Sequence, residues 1–170
     1  MNLSQIIKKG GVGVIPTDTV YGIVGSVFSR RAVERIYRLR KRDRRKPFIV
    51  LISGFGDLKK LSVKPNKETT SLLKKLWPGP VSVILPCKNK KFAYIHRGTS
   101  SVAFRLPKDI WLRNFLKKTG PLVAPSANLA GKPPAKTIAE ARKYFGNKVD
   151  FYFNKGRRGG APSTLVEIKR

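Results

Sequence analysis

The 170-residue sequence predicts one layered α/β domain of the α+β class, and three observations support this prediction. Amphipathic helix patterns alternate along the chain with apolar segments of strand length. Hydrophobic residues make up 41% of the chain, which is enough for a single compact core. The length favours one domain over residues 1–170, and no internal repeat or low-complexity tract marks a boundary.

The first third of the chain predicts a helix, two strands, a second helix and a third strand. Gly10 follows the first helix as its C-cap, and Ser29 is placed to cap the second. The three strands are predicted over residues 12–15, 21–28 and 48–52. The third is a continuous apolar run, which is typical of a strand buried on both faces.

The remainder predicts three helices and five strands. Asn66 opens a helix that the Trp77-Pro78-Gly79-Pro80 turn must end, and further helices are predicted over residues 110–118 and 137–146. The strands are predicted over residues 81–85, 101–105, 122–124, 149–153 and 164–168, with a basic loop at residues 88–91.

The charge balance favours anionic ligands. Thirty-seven Lys and Arg residues against nine Asp and Glu give a net charge of +28. Residues 38–46 hold seven cations in nine positions, between a predicted helix and a predicted strand. A basic stretch inside the fold favours a lined anion site, whereas a genome-wide basic bias would leave the scattered lysines as ordinary solvated surface.

Several kinds of site and setting are excluded by composition. A single cysteine rules out an internal disulfide and a cysteine zinc cluster, and a single histidine rules out a His-rich metal site. No apolar run approaches the roughly 20 residues that a bilayer span needs. We therefore expect no membrane partner and a cytoplasmic location. The phosphate-loop and dinucleotide-binding motifs are both incomplete.

Three loops rich in small hydroxyl residues flank predicted strands. They are residues 16–22, 124–128 and 159–164. Each alone is compatible with an ordinary Asx or Ser/Thr turn. Together with the basic stretch and with Arg105 at a strand end, they indicate one ligand site, because ligands in open α/β sheets gather near strand ends.

Seven ordered blocks carry a resemblance to a known family. They are Pro16-Thr17-Asp18-Thr19-Val20-Tyr21-Gly22, residues 36–42, Lys46-Pro47-Phe48, residues 77–82, residues 102–107, residues 124–128 with Gly131, and Pro162-Ser163-Thr164. In this order they resemble the YrdC family, in its short single-domain form. The resemblance implies a twisted mixed sheet flanked by helices around a large, basic, concave cleft.

The resemblance also implies an activity. Threonylcarbamoyl-AMP synthases of this family are nucleotidyltransferases that join L-threonine, bicarbonate and ATP into threonylcarbamoyladenylate and pyrophosphate. We expect ATP as a substrate, Mg²⁺ alongside it, and partner proteins that pass the product to tRNA as threonylcarbamoyladenosine. Because ATP is highly charged, such chemistry needs cations and backbone donors more than protein acids.

The family motifs imply a set of substrate contacts but neither a catalytic side chain nor a metal ligand. The threonine side is implied to be Thr17, Thr19, Arg105 and Ser163, with Arg105 on the carboxylate. The ATP or bicarbonate side is implied to be Arg40, Arg42, Lys46, Ser101, Ser126 and Asn128. The chain departs from common family residues at Arg40, Asp43, Leu51 and Pro134.

Two other functions stay open at this point. A non-catalytic module that binds double-stranded RNA or tRNA would use the net charge of +28, although it has no need for the three hydroxyl loops. The other open function is that of a relative that uses carbamoyl phosphate, although such modules usually lie inside much larger chains. Pyrophosphate release that requires threonine and bicarbonate distinguishes the synthase from both.

Overall fold

The computed structural model describes residues 1–169, and eight strands of this part form one mixed sheet. The strands are β1 (Val12–Pro16), β2 (Tyr21–Ser26), β3 (Val50–Leu51), β4 (Val81–Pro86), β5 (Ser101–Arg105), β6 (Leu122–Val123), β7 (Phe151–Tyr152) and β8 (Thr164–Glu167). The helices are α1 (Leu3–Lys8), α2 (Arg30–Arg40), α3 (Phe55–Lys60), α4 (Lys67–Leu76), α5 (Ala93–His96), α6 (Ile110–Thr119) and α7 (Ile138–Phe145). None of these helices is both long and apolar enough to cross a membrane.

The strands follow the order β7-β1-β2-β6-β3-β5-β4-β8 across the sheet. β7–β1, β3–β5 and β4–β8 pair in parallel, and the other neighbours are antiparallel. The predicted α+β class with a mixed sheet is confirmed. β7 and β8 are consecutive in the chain but lie at opposite edges. The segment between them, residues 153–163, must therefore cross from one edge to the other, and we call it the strap.

Side-chain alternation divides the core into two apolar clusters, one on each face of the sheet. On one face, α2, α4 and α7 pack against strand residues such as Val14 and Ile23. On the other face, α1 and α6 pack against Ile15, Val24 and Leu51. The sheet is therefore a central layer between helices.

One half of the α1/α6 face carries no helical cover. The cluster on this face takes its strand residues from β1, β2, β3, β6 and β7, and the described residues of β4, β5 and β8 contribute none. In β5, Val102 and Phe104 point to the opposite cluster, while Ser101 and Ala103 are half-buried on the uncovered side. This bare half of the sheet is the floor of the candidate site.

Local sequence signals placed the helix starts correctly. The Ser29 hydroxyl accepts a hydrogen bond from the Ala32 N–H, and the Asn66 side chain accepts one from the Thr69 N–H. These bonds satisfy backbone donors that the first turn of a helix leaves without an internal partner.

Three local predictions were wrong. The strands predicted over residues 48–52 and 149–153 are only the two-residue β3 and β7, and Ile49 is half-buried because it forms a cavity wall. Residues 88–91 are not simply a loop, since a 3₁₀ turn at Lys90–Phe92 leads into α5. Helices α3 and α5, of six and four residues, were not predicted.

Candidate functional site

Two cavities adjoin on the uncovered half of the sheet. The small cavity, of about 90 Å³, lies between the loop after β1, the loop after β6 and the strap. The large cavity, of about 420 Å³, lies beside it over β4, β5 and β8. Ile49 and Ser163 line both, so ligands in the two cavities would lie in contact.

The small cavity has a wall of hydroxyl and apolar groups with one charged group. It is lined by Thr17, Thr19, Val20, Tyr21, Gly22, Ile49, Arg105, Ala124, Ser126, Pro162 and Ser163. The structure therefore brings together all four residues that the sequence assigned to the threonine side. It adds Ser126, which the sequence assigned to the ATP side.

Arg105 lies beside a buried carboxylate. Its Nη2 is 3.1 Å from Asp18 Oδ1, and the two side chains are only 5% and 11% exposed. The contact is an ion pair without hydrogen-bond geometry, because both Asp18 oxygens and Arg105 Nε have no hydrogen-bond partner. Burial lowers the pKa of Arg105, and the Asp18 charge opposes that change. Arg105 thus keeps N–H groups free for an anionic ligand.

Hydrogen bonds and a backbone contact hold the strap over the small cavity. The Tyr21 hydroxyl donates to the Gly156 carbonyl at 2.6 Å and accepts from the Lys155 N–H at 3.1 Å. Gly160 packs directly on the backbone of Thr19. Ser163, at the end of the strap, lies 2.9 Å from the Ser82 hydroxyl of β4.

The large cavity combines an apolar wall with one cation. It is lined by Arg42, Pro47, Phe48, Ile49, Ile84, Thr99, Ser101, Val102, Ala103, Ser163 and Leu165. Arg42 and Ser101 belong to the set that the sequence assigned to ATP. The Arg42 guanidinium lies 6.0 Å from the centre of the Phe48 ring, and its buried Nε has no partner. The wall therefore offers a surface for an apolar ring and a donor for an anion.

A layered stack holds this wall in place. Phe48 stacks on Tyr37 with ring centres 3.9 Å apart, and the Tyr37 hydroxyl donates to the Lys46 carbonyl at 2.6 Å. Arg97 covers the other side of Tyr37 at 4.2 Å and donates to Glu34 at 2.6 Å. Burial raises the pKa of Tyr37 to about 12, and the hydrogen bond from Arg97 lowers the pKa of Glu34.

Arg40 and Asn128 lie behind the small cavity and line neither one. Arg40 is 4% exposed, and it donates through Nε to the Asn128 carbonyl at 3.1 Å and through Nη2 to Asn128 Oδ1 at 3.3 Å. Burial, together with the nearby charge of Arg42, lowers the pKa of Arg40 to about 10. Lys46 is exposed and lines neither cavity.

The charged residues that line the two cavities are Arg42 and Arg105. Within residues 1–169, no three His, Cys, Asp or Glu side chains lie close enough together to hold a metal ion. Asp18 and Ser82 were not among the predicted site residues. Asp18 could have been found as the carboxylate inside the hydroxyl loop after β1, and Ser82 as the polar residue in an otherwise apolar strand.

The chain is similar to several known proteins. The family model Sua5_yciO_yrdC, described as "Telomere recombination", matches residues 5–170. A threonylcarbamoyl-AMP synthase of Methylobacillus flagellatus is 32% identical over 169 residues, covering 98% of this chain and 93% of that protein. One from Pyrococcus abyssi is 32% identical over 164 residues, or 95% of this chain, which spans only 48% of that longer protein. The crystal structure of P. abyssi Sua5 complexed with L-threonine superposes with a TM-score of 0.90 at 30% identity, covering 98% of this chain and 50% of that one.

Proposed function

Because this chain belongs to the Sua5/YciO/YrdC family, we propose that it catalyses the threonylcarbamoyl-AMP synthase reaction. L-Threonine, bicarbonate and ATP would be condensed to L-threonylcarbamoyladenylate and pyrophosphate. The observation that carries this proposal is the pair of adjoining cavities. One is amino-acid-sized with a buried arginine, and the other is large enough for a nucleotide and has an arginine in its wall.

Threonine occupies the small cavity in this proposal. Its carboxylate pairs with the free N–H groups of Arg105, and Thr17, Thr19 and Ser163 surround the rest of the molecule. Burial strengthens a charge-assisted pair of this kind because little water competes for it. The structure of P. abyssi Sua5 complexed with L-threonine supports threonine as a ligand of this fold.

ATP occupies the large cavity. Its base and ribose lie on the apolar wall, and its phosphates lie toward Arg42 and Ser101, with exposed Lys46 on the same basic stretch. Arg40 and Asn128 lie behind the cavity wall, where they hold the loop after β6 and add positive charge. Mg²⁺ enters with ATP as part of the substrate.

The chemistry requires positioning more than acid–base groups. The threonine amine attacks the carbon of bicarbonate, water leaves, and a carbamate forms. A carbamate oxygen then attacks the α-phosphorus of ATP, and pyrophosphate leaves. Ser163 and Ile49, shared by both cavities, mark where the two substrates meet. Holding the reactants together supplies most of the acceleration, and the strap keeps water from the labile carbamate.

We further propose that residues 1–170 form one domain located in the cytoplasm. Partner proteins there would take the adenylate and transfer its threonylcarbamoyl group to tRNA. Direct binding of tRNA or double-stranded RNA is a second property that the net charge of +28 favours. It is compatible with catalysis, since RNA would contact the outer surface.

The test is pyrophosphate release from ATP, with threonine and bicarbonate omitted in turn. We expect release only when both are present. If no pyrophosphate forms under any combination while RNA binding is strong and salt-sensitive, the synthase proposal is wrong and the RNA-binding module is supported.

A further inference from the structure

Two segments of the chain meet beside the large cavity. One is the basic stretch, residues 38–46, and the other is the turn between α5 and β5, residues 97–100. The basic stretch supplies Arg42 to the cavity wall, while the turn supplies Thr99 and leads into Ser101. The contact that holds these two segments together therefore decides how Arg42 faces a ligand.

The basic stretch has few internal means of keeping one position. It holds seven cations in nine positions, and like charges at this density repel one another. Its residues 43–46 are exposed. The Arg42 N–H donates to the Tyr37 carbonyl at 3.3 Å, and the Lys46 N–H donates to the Asp43 carbonyl at 3.2 Å. These two bonds stay within the stretch or return to α2, so neither ties it to the turn.

Arg97, in the turn, makes that connection. Its Nε donates to the Arg44 carbonyl, its Nη1 donates to Glu34 Oε1 at 2.6 Å, and its guanidinium lies 4.2 Å from the centre of the Tyr37 ring. The other Glu34 oxygen accepts from the Arg44 side chain at 3.2 Å. The Arg97 side chain is only 10% exposed, so little water competes for these contacts.

The backbone of the turn gives Arg97 a role that its conformation alone does not require. Arg97 has a φ of 55°, in the left-handed region where a Cβ crowds the following carbonyl oxygen, and glycine would adopt it without that cost. The preceding residue, His96, accepts from the Gly98 N–H through Nδ1 at 3.2 Å and from the Thr99 N–H through its carbonyl at 2.9 Å. Arg97 and Thr99 are therefore held as one unit.

We propose that Arg97 is a positioning residue for ATP, which holds the basic stretch against the turn between α5 and β5 and thereby directs Arg42 into the large cavity. This inference rests on the proposed function and adds to it a residue that lines neither cavity. Tyr37 acts with Arg97, because its ring lies between Arg97 and Phe48 and its hydroxyl donates to the Lys46 carbonyl at 2.6 Å.

A second arginine bridge on α2 provides a matched control. Arg35 is the neighbour of Glu34 in the sequence, and it donates to Asp150 at 2.6 Å and to the Lys148 carbonyl at 2.6 Å. It lines neither of the two cavities. Arg35→Gln therefore removes a charged bridge from the same helix without removing a contact to the basic stretch.

The test is calorimetric titration of ATP and of L-threonine, each alone, into the wild type, Arg97→Gly, Tyr37→Phe and Arg35→Gln, beside urea unfolding of each. Glycine suits the left-handed backbone and phenylalanine keeps the stacked ring, so both variants lose contacts to the basic stretch at little cost to the fold. We expect the Kd for ATP to rise about threefold to tenfold in Arg97→Gly and Tyr37→Phe, and to keep its wild-type value in Arg35→Gln. The Kd for threonine should stay unchanged in all three.

A double-mutant cycle with Arg42→Ala tests whether Arg97 acts through Arg42. Adding Arg97→Gly to Arg42→Ala should then change the ATP affinity by less than about twofold, whereas independent effects would multiply. Full multiplication would overturn the inference, and so would an unchanged ATP affinity in Arg97→Gly. Equal weakening of ATP and threonine, or an equal loss of ATP affinity in Arg35→Gln, would overturn it by showing a structural role alone. A wild type that binds threonine but not ATP would instead overturn the proposed nucleotide cavity, and this inference with it.

Discussion

Replacing Gly160 with alanine should impair the use of threonine while leaving the fold intact. Gly160 lies in the strap, and a Cβ built on it would be 2.8 Å from the Thr19 carbonyl oxygen. It would also lie 3.2 Å from Thr19 Cα and 3.3 Å from the Thr19 carbonyl carbon. Backbone atoms cannot rotate away as the end of a flexible side chain can, so the strap or the Thr19 loop must move.

The size of that movement follows from the contact distance. Ordinary van der Waals contact for a Cβ begins at 3.4 Å, so the 2.8 Å contact must lengthen by about 0.6 Å. A misplacement of about 1 Å in an active site can cost about 100-fold in rate. We therefore expect kcat/KM for threonine to fall about tenfold, with a much smaller change in the KM for ATP.

Gly159 provides a matched control. It is the preceding residue of the same strap, and a Cβ there meets nothing within 4 Å. Gly159→Ala should keep wild-type kinetics, and both variants should keep the wild-type free energy of unfolding to within about 1 kcal/mol, because the strap is exposed at both positions.

The assay is pyrophosphate release at varied threonine and saturating ATP and bicarbonate, beside urea unfolding of each variant. Equal kcat/KM values for Gly160→Ala and Gly159→Ala would refute the reasoning, because the close approach to Thr19 would then have no effect on the cavity. A Gly160→Ala protein that is strongly destabilised would refute it as well.

Three further predictions follow from the charged groups. Arg42→Ala should weaken ATP binding or turnover by about 1.5–3 kcal/mol, and unchanged ATP affinity and activity would remove Arg42 from the phosphate side. Arg105→Ala should raise the KM for threonine but spare ATP binding, which equilibrium titration with ATP tests; equal loss of both would reject the division between the cavities. Glu34→Gln should be less stable than the wild type at neutral pH, because the Arg97 hydrogen bond lowers the pKa of Glu34 below its ordinary 4.5. That stabilisation is fully present above pH 4.5 and is lost as the pH falls through the lowered pKa, so the urea-unfolding curves of the two proteins should converge in acid; a constant difference at all pH values would contradict this.

Local sequence patterns predicted most of the elements, because caps and apolar periods act within a few residues. Ser29 and Asn66 mark the helix starts, and the period-two pattern of residues 101–105 marks β5. The family motifs predicted candidate site residues in the same local way. Thr17, Thr19, Arg105 and Ser163 were assigned to one ligand and lie in one cavity.

The tertiary structure alone decided which surroundings neighbouring residues of the basic stretch have. Arg40 and Arg42 are two positions apart on one basic stretch, yet Arg40 is buried against Asn128 while Arg42 lines the large cavity. The sequence carries the charge of both, but their partners come from distant segments. The proximity of Asp18 to Arg105 likewise depends on pairing between strands that are far apart in the chain.

The sequence by itself determined the chemical inventory of this protein: a basic chain with one histidine, one cysteine and three hydroxyl loops. The tertiary structure decided which half of one sheet face stays uncovered, and that the strap joins its two edges over the small cavity. The physical reason is the separation along the chain over which each interaction acts. Side-chain alternation and capping depend on neighbours along the chain, whereas strand order and helix cover depend on contacts between distant segments.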